Sequence, residues 1–97
     1  MKKLKLNQIV IINTNPDYLM SIGYKRDNRF FLHPEQDSIT PDMLDLNGKI
    51  SNVKIVSSNN YIKNTHYRLA LDKERYNWPE KTLFPIDSEY GKFLYGT

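Results

Sequence analysis

The chain has 97 residues, enough for one domain whose core is real but modest, burying roughly 60–68% of the unfolded surface. At 39% hydrophobic and 12% aromatic it is too apolar for disorder, and no apolar run approaches the ~20 residues of a membrane span. A net charge of +3 permits nucleic-acid contact without demanding it, and the absence of cysteine excludes disulfides and thiolate metal sites.

Met1-Lys2-Lys3-Leu4-Lys5 is basic, but the apolar run Ile9–Ile12 is too short for a signal peptide. A soluble, cytoplasmic protein is therefore expected. Leu6 to Asn13 is the first strand, β-branched and without polar alternation, so both its faces should be covered. Asn13-Thr14-Asn15-Pro16-Asp17 ends it with turn chemistry. The stretch from about 14 to 38 reads as a long loop or irregular hairpin, in which Phe30 and Leu32 share one face of a short strand.

Ile39-Thr40-Pro41-Asp42 carries a helix start. Thr40 is the N-cap, Pro41 suits the first helical position, and Asp42 favours the positive end of the helix. Asn47-Gly48 supplies the left-handed residue that closes it, so the helix has at most two turns, anchored by Met43, Leu44 and Leu46. Lys49 to Val56 is the second strand, with Val53 and Ile55 on one face. Ile50 is out of phase with them, which places a bulge near Gly48. Ser57 to Asn60 is a polar turn, and Tyr61 and Ile62 precede a polar loop over Lys63–His66.

Tyr67 to Pro79 reads as a hairpin. Tyr67, Leu69 and Leu71 alternate with Arg68, Ala70 and Asp72 and should face the core. Asp72 to Arg75 is a charged turn, Tyr76 and Trp78 point the same way on the return, and Pro79 ends the pairing or sits at an edge. Glu80-Lys81-Thr82 fits one 3₁₀ turn and Leu83 to Ile86 a last short strand. Ser88 to Thr97 is a tail too aromatic to ignore. There is no internal repeat and no second domain.

The pattern Tyr67-x-Leu69-x-Leu71-Asp72 … Tyr76-x-Trp78-Pro79-Glu80-x-x-Leu83-x-Pro85-Ile86, with the opening Leu4-Lys5-Leu6-Asn7-Gln8-Ile9-Val10-Ile11, resembles small SH3-like β-barrel proteins of bacterial phages and mobile elements. Ile39 to Leu44 followed by Asn47-Gly48-Lys49 looks like the same group. The resemblance covers residues 4–13 and 39–87. It departs from the group's pattern at Asn7-Gln8, where a glycine-aspartate turn is common. It implies a mainly β fold, a small SH3-like antiparallel barrel with one short helix, over a single domain of residues 1–97. It implies binding rather than catalysis. Abundant Asn, Lys, Ile and Tyr with a single alanine, Ala70, match A/T-rich codons and a low-GC bacterium or its phage.

The residues carry little catalytic chemistry. His33 and His66 are the only histidines and have no metal-pair spacing, and Asp42 and Asp45 read as a solvated helix face. Neither a phosphate-cradling glycine loop nor a nucleophile motif is present, so no enzyme, metal or cofactor is expected. Lys25, Arg26 and Arg29 beside Phe30 and Phe31 have the composition of a single-strand platform, in which rings stack on bases and cations meet phosphates. Arg68, Lys73 and Arg75 form a second basic spot. Asp27, Asp72 and Glu74 dilute both, and the phenylalanines equally suit a core.

For protein binding, a groove between the long first loop and the segment after the hairpin would be lined by Tyr18, Tyr24, Trp78 and Pro79, although Trp78 suits the core equally well. Tyr90, Phe93, Leu94 and Tyr95 in the tail either pack back or form a self-association strand. The expectation is a non-catalytic module that binds a host protein, with inhibition of a bacterial defence system such as a CRISPR nuclease as one concrete version. Single-stranded nucleic-acid binding is the alternative. A sponge for a signalling nucleotide, needing a preformed pocket, is the third.

Overall fold

A computed structural model describes residues 4–32, 37–59 and 64–95. The fold is mainly β. Five antiparallel strands form the larger sheet: β1 (Ile9–Ile12), β5 (Ile50–Asn59), β6 (Asn64–Leu69), β7 (Trp78–Pro79) and β8 (Leu83–Pro85), in the order β7-β6-β5-β1-β8. Between β1 and β5 lie helix α1 (Pro16–Ile22), a three-stranded meander of β2 (Gly23–Arg26), β3 (Arg29–Leu32) and β4 (Asp37–Ile39), and the one-turn helix α2 (Pro41–Leu44). A 3₁₀ turn (Glu80–Thr82) joins β7 to β8, and α3 (Glu89–Tyr95) follows. Among the described residues β7 and β8 remain the two edges of the sheet, so no ladder closes it into a barrel.

Of the long loop or irregular hairpin expected over 14–38, the structure forms a hairpin, β2–β3, preceded by helix α1. Asn15 caps α1 by accepting from Asp17 N–H at 2.9 Å, and Pro16 takes the first helical position, where its missing N–H costs nothing. Gly23 then pairs with Leu32, and a Cβ there would strike the Phe31 carbonyl, so only glycine lets β2 approach β3 this closely. Asp27 adopts φ +57° in the two-residue turn that returns the chain as β3. Phe30 and Leu32 share the buried face as expected.

One core serves both sheets. Val10, Ile12, Val53, Tyr67, Leu69 and Trp78 from the larger sheet meet Leu19 of α1, Phe30, Leu32 and Ile39 of the meander, and Met43 of α2. Ile11 points to the other face of β1 and is also buried, and α3 packs on β1 and β8. Coverage of both faces thus holds for residues 10–12. The strand is shorter than expected, because Lys5-Leu6-Asn7-Gln8 is a turn with Asn7 at φ +65°, which leaves Leu6 and Ile9 exposed.

β5 serves both halves of the sheet. Its first residues pair with β1, and from Val53 onward it pairs with β6. The bulge lies between Val53 and Ile55 rather than near Gly48. The extra residue turns the strand over, so Val53 is buried while Ile55 is 41% exposed. Ser57 belongs to the strand and not to a turn. The helix signal at Thr40-Pro41 is met by α2. Thr40 Oγ1 makes no capping bond, and Gly48, at φ +79°, directs its N–H to the Ile12 carbonyl at 2.8 Å.

The Tyr67 hairpin turns earlier than its sequence suggests. Its turn spans Ala70 to Asn77, with Lys73 and Glu74 both left-handed, so Leu71 leaves the strand and is 41% exposed rather than core. Tyr67, Leu69 and Trp78 are fully buried. The 3₁₀ turn and the last strand stand where expected. The tail is a helix rather than a self-association strand. His33, Tyr61, Ile62 and Lys63 lie outside the described residues.

Candidate binding surfaces

The first surface is a groove between α1, the segment after the hairpin, and α3. A helix starting at Pro16 sends Leu19 into the core and holds Tyr18 against the 3₁₀ turn, where its hydroxyl donates to the Lys81 carbonyl at 2.6 Å. Burial, reinforced by Tyr90 beside it, pushes the Tyr18 hydroxyl up to about 12. Tyr18 meets Phe84 edge-on at 5.8 Å, Phe84 meets Tyr90 at 4.3 Å, and Tyr90 meets Phe93 at 6.3 Å. The four rings thus run continuously from α1 across β8 and along α3. Asn13 Nδ2 donates to the Tyr90 hydroxyl at 3.0 Å, which ties α3 to the end of β1. Ser88 caps the helix by accepting from Gly91 N–H at 2.9 Å. A Cβ on Gly91 would collide with the Pro85 carbonyl, so glycine sets how closely α3 sits on β8.

The result is a depression of about 340 Å³ lined by Leu4, Tyr18, Leu83, Phe84, Pro85 and Tyr90, with Glu80 and Lys81 at its rim. Its place is the one expected, between the first long connection and the segment after the hairpin, but its lining differs. Tyr18 belongs to it. Tyr24 stands on β2, away from it, and Trp78 and Pro79 are buried, so neither offers a surface. Trp78 faces inward because its indole N–H donates to Asp72 Oδ2 at 3.0 Å, and its ring meets Tyr76 edge-on at 6.1 Å. The sequence did signal Tyr90 and Phe93 as unexplained apolar residues. Nothing local signals that they join Tyr18 and Phe84. The side chains of Leu94 and Tyr95 lie outside the described residues.

The second surface is the outer face of the β2–β3 hairpin. Tyr24 pairs with Phe31 and Arg26 with Arg29 directly across the two strands. Residues two apart share a face, so the aromatic pair and the arginine pair stand side by side on it. Tyr24 and Phe31 stack at 5.5 Å with 20° between planes. Lys25 and Phe30 belong to the opposite face. Phe30 is core, 3% exposed, and Lys25 Nζ lies 5.7 Å from its ring. Phe30 and Phe31 therefore do not share the exposed face expected of them, because strand alternation cannot expose two neighbours on one side; the ring beside Phe31 on the outer face is Tyr24.

The second basic spot is partly consumed by its own turn. Arg68 Nη1 donates to the Glu74 carbonyl at 2.6 Å and the Arg75 guanidinium lies 5.3 Å over the Tyr76 ring, whereas Lys73 stays exposed. Arg75, Lys73, Tyr76 and Asp42 border one shallow depression, and Pro41 borders another with Arg26 and Arg29. The start of α2 thus separates the two basic spots.

His66 lies on β6 opposite Pro79, Asp42 accepts from the Tyr76 hydroxyl at 3.4 Å, and Asp45 is exposed. Among the described residues no three His, Asp or Glu side chains gather where a metal could sit, and no helix is long and apolar enough to cross a membrane. No family model, curated protein or solved structure matches the chain.

Proposed function

We propose that this protein is a non-catalytic module that binds a partner protein in the groove beneath α3. The observation that carries the reading is the ring series Tyr18–Phe84–Tyr90–Phe93. Tyr18 packs against the core, and the outer members of the series are open to solvent, with Tyr90 40% and Phe93 65% exposed. Aromatic side chains of this kind are the usual anchors of an interface, since they bury large area for little lost side-chain freedom. Leu4, Leu83 and Pro85 make the floor apolar, while Glu80 and Lys81 supply a polar rim.

The scaffold reading that goes with it is an SH3-like, partly open barrel. Support comes from the strand order β7-β6-β5-β1-β8, from the bulged β5 shared by both halves of the sheet, and from the 3₁₀ turn between β7 and β8. A host protein of a phage or mobile element, including a defence nuclease, is the partner that the sequence resemblance suggests.

The test is capture from a low-GC Gram-positive lysate with the wild-type protein and with Phe93→Ser. Phe93 is exposed, so this variant keeps the fold. A stoichiometric protein retained by the wild type and lost by Phe93→Ser is the expected result. Recovery of nucleic acid alone, or capture indifferent to Phe93→Ser, sinks the reading.

A further inference from the structure

We propose that the outer face of the β2–β3 hairpin is a site for single-stranded nucleic acid, separate from the groove. Arg26 and Arg29 hold a phosphate there, and the Tyr24–Phe31 stack receives the adjoining base.

The argument starts from a cost. Arg26 and Arg29 sit directly opposite each other, and like charges at directly opposed positions destabilise a hairpin. Both are exposed, and neither has a hydrogen-bond or ion-pair partner among the described residues. Asp27 in the intervening turn pairs with neither. Three other cations of the chain show the contrast. Arg68 is bonded to a carbonyl, and Lys25 and Arg75 lie over rings. A pair of cations on one face that the fold does not use is a receptor for an anion with several acceptor oxygens.

The neighbouring residues narrow the class of anion. Tyr24 and Phe31 add nothing to the core, yet they stack on each other two residues along from the arginines. Two residues of strand advance about 7 Å, the reach of one nucleotide from phosphate to base. A free phosphate or a phosphorylated peptide would use the arginines and leave the rings idle. A nucleotide chain uses both, and stacking tolerates any base. The tight turn at Asp27 and the close approach at Gly23 hold the four side chains on one short frame, so little ordering is needed on binding.

The experiment is fluorescence anisotropy with labelled mixed-sequence 12-mers of DNA and RNA, at salt from ~50 to ~200 mM, the range over which phosphate contacts weaken. Saturable binding is expected with a log–log salt slope of about −0.7, the value for one single-strand phosphate. Arg26→Gln/Arg29→Gln should abolish that slope. Tyr24→Ser should weaken binding by roughly 5- to 150-fold, the range for one stacked base.

Lys49→Gln/Lys54→Gln, which removes the same charge from exposed positions at and before β5, should bind like the wild type. Thermal melts guard against misfolding, and the double arginine variant should melt no lower than the wild type. Absence of binding at ~50 mM salt overturns the proposal. So does equal loss in the two double variants, or equal affinity for duplex and heparin, since each means general charge attraction. The groove reading is untouched by any of these outcomes, because Phe93 takes no part in them.

Discussion

Two hairpins of this molecule spend their charges in opposite ways. In the β6–β7 hairpin Asp72, Arg68 and Arg75 are each held by a group of that hairpin. Asp72 accepts from the Tyr76 N–H at 3.2 Å and the Trp78 indole, Arg68 holds the Glu74 carbonyl, and Arg75 lies over Tyr76. In the β2–β3 hairpin two arginines face each other with no partner among the described residues. The first needs its charges, because its long turn carries two left-handed residues, Lys73 and Glu74, that backbone preference alone would not hold. The second closes in two residues and needs none. The lesson is that a basic residue's spacing in sequence says little about its availability. What decides it is whether the local backbone has already claimed it.

Substitutions separate the two cases by size of effect. Asp72→Ala removes the acceptor of a buried indole N–H and should cost about 2–3 kcal/mol. Asp72→Asn, which keeps one acceptor oxygen, should cost clearly less. Urea unfolding measures both, and a loss below about 0.5 kcal/mol for the alanine variant would mean that Asp72 does not hold the turn.

Tyr67→Phe comes next, at about 1–1.5 kcal/mol. Its hydroxyl accepts from Leu4 N–H at 3.0 Å and donates to Glu80 at 3.1 Å, which ties the first described residue to the 3₁₀ turn. Burial raises the Tyr67 hydroxyl above the usual tyrosine value, as it does Tyr18. A tyrosine whose folded value is raised favours folding while neutral. That contribution is complete below about pH 10, the unfolded value, and is lost as pH climbs through the folded one, about 12 for Tyr18. Absorbance titration should show late-ionising tyrosines, absent once the protein is unfolded in urea.

Lys73→Gly should stabilise by about 0.5 kcal/mol, because relief of the left-handed strain slightly exceeds the entropy that glycine loses. A destabilised variant would show that the Lys73 side chain packs usefully in the turn. Smallest is Arg29→Gln, expected within about 0.5 kcal/mol of wild type and on the stabilising side. A clear loss of stability would show that the open hairpin uses its cations after all.

What was legible in the sequence had a local cause. Tyr67 and Leu69 could be placed in the core because alternation is a property of neighbours. The α2 start at Pro41 and the 3₁₀ turn at Glu80 were legible for the same reason, whereas Trp78 suited core and groove equally and only the structure buries it. β2 was not, since Gly23-Tyr24-Lys25-Arg26 shows no apolar alternation and forms a strand only by pairing with β3. Leu71 and Ile55 were misplaced by one irregularity each, an early turn and a bulge, either of which reverses every side chain beyond it. The groove was half legible. Its location followed from the order of elements, but Tyr18, Phe84 and Tyr90 meet only in three dimensions.

The position of β1 has a consequence for how the chain is made. β1 lies between β5 and β8, with Ile11 paired to Ile50 on one side and to Phe84 on the other. During synthesis its second edge stays unsatisfied until Leu83 to Pro85 has left the ribosome. A nascent or truncated chain ending before Leu83 would present Val10-Ile11-Ile12 as a bare apolar edge, the kind that recruits other strands. Nonsense fragments ending there should therefore aggregate, and folding of this domain should be slow, because the pairing that completes the sheet joins Val10 to Pro85 across most of the domain.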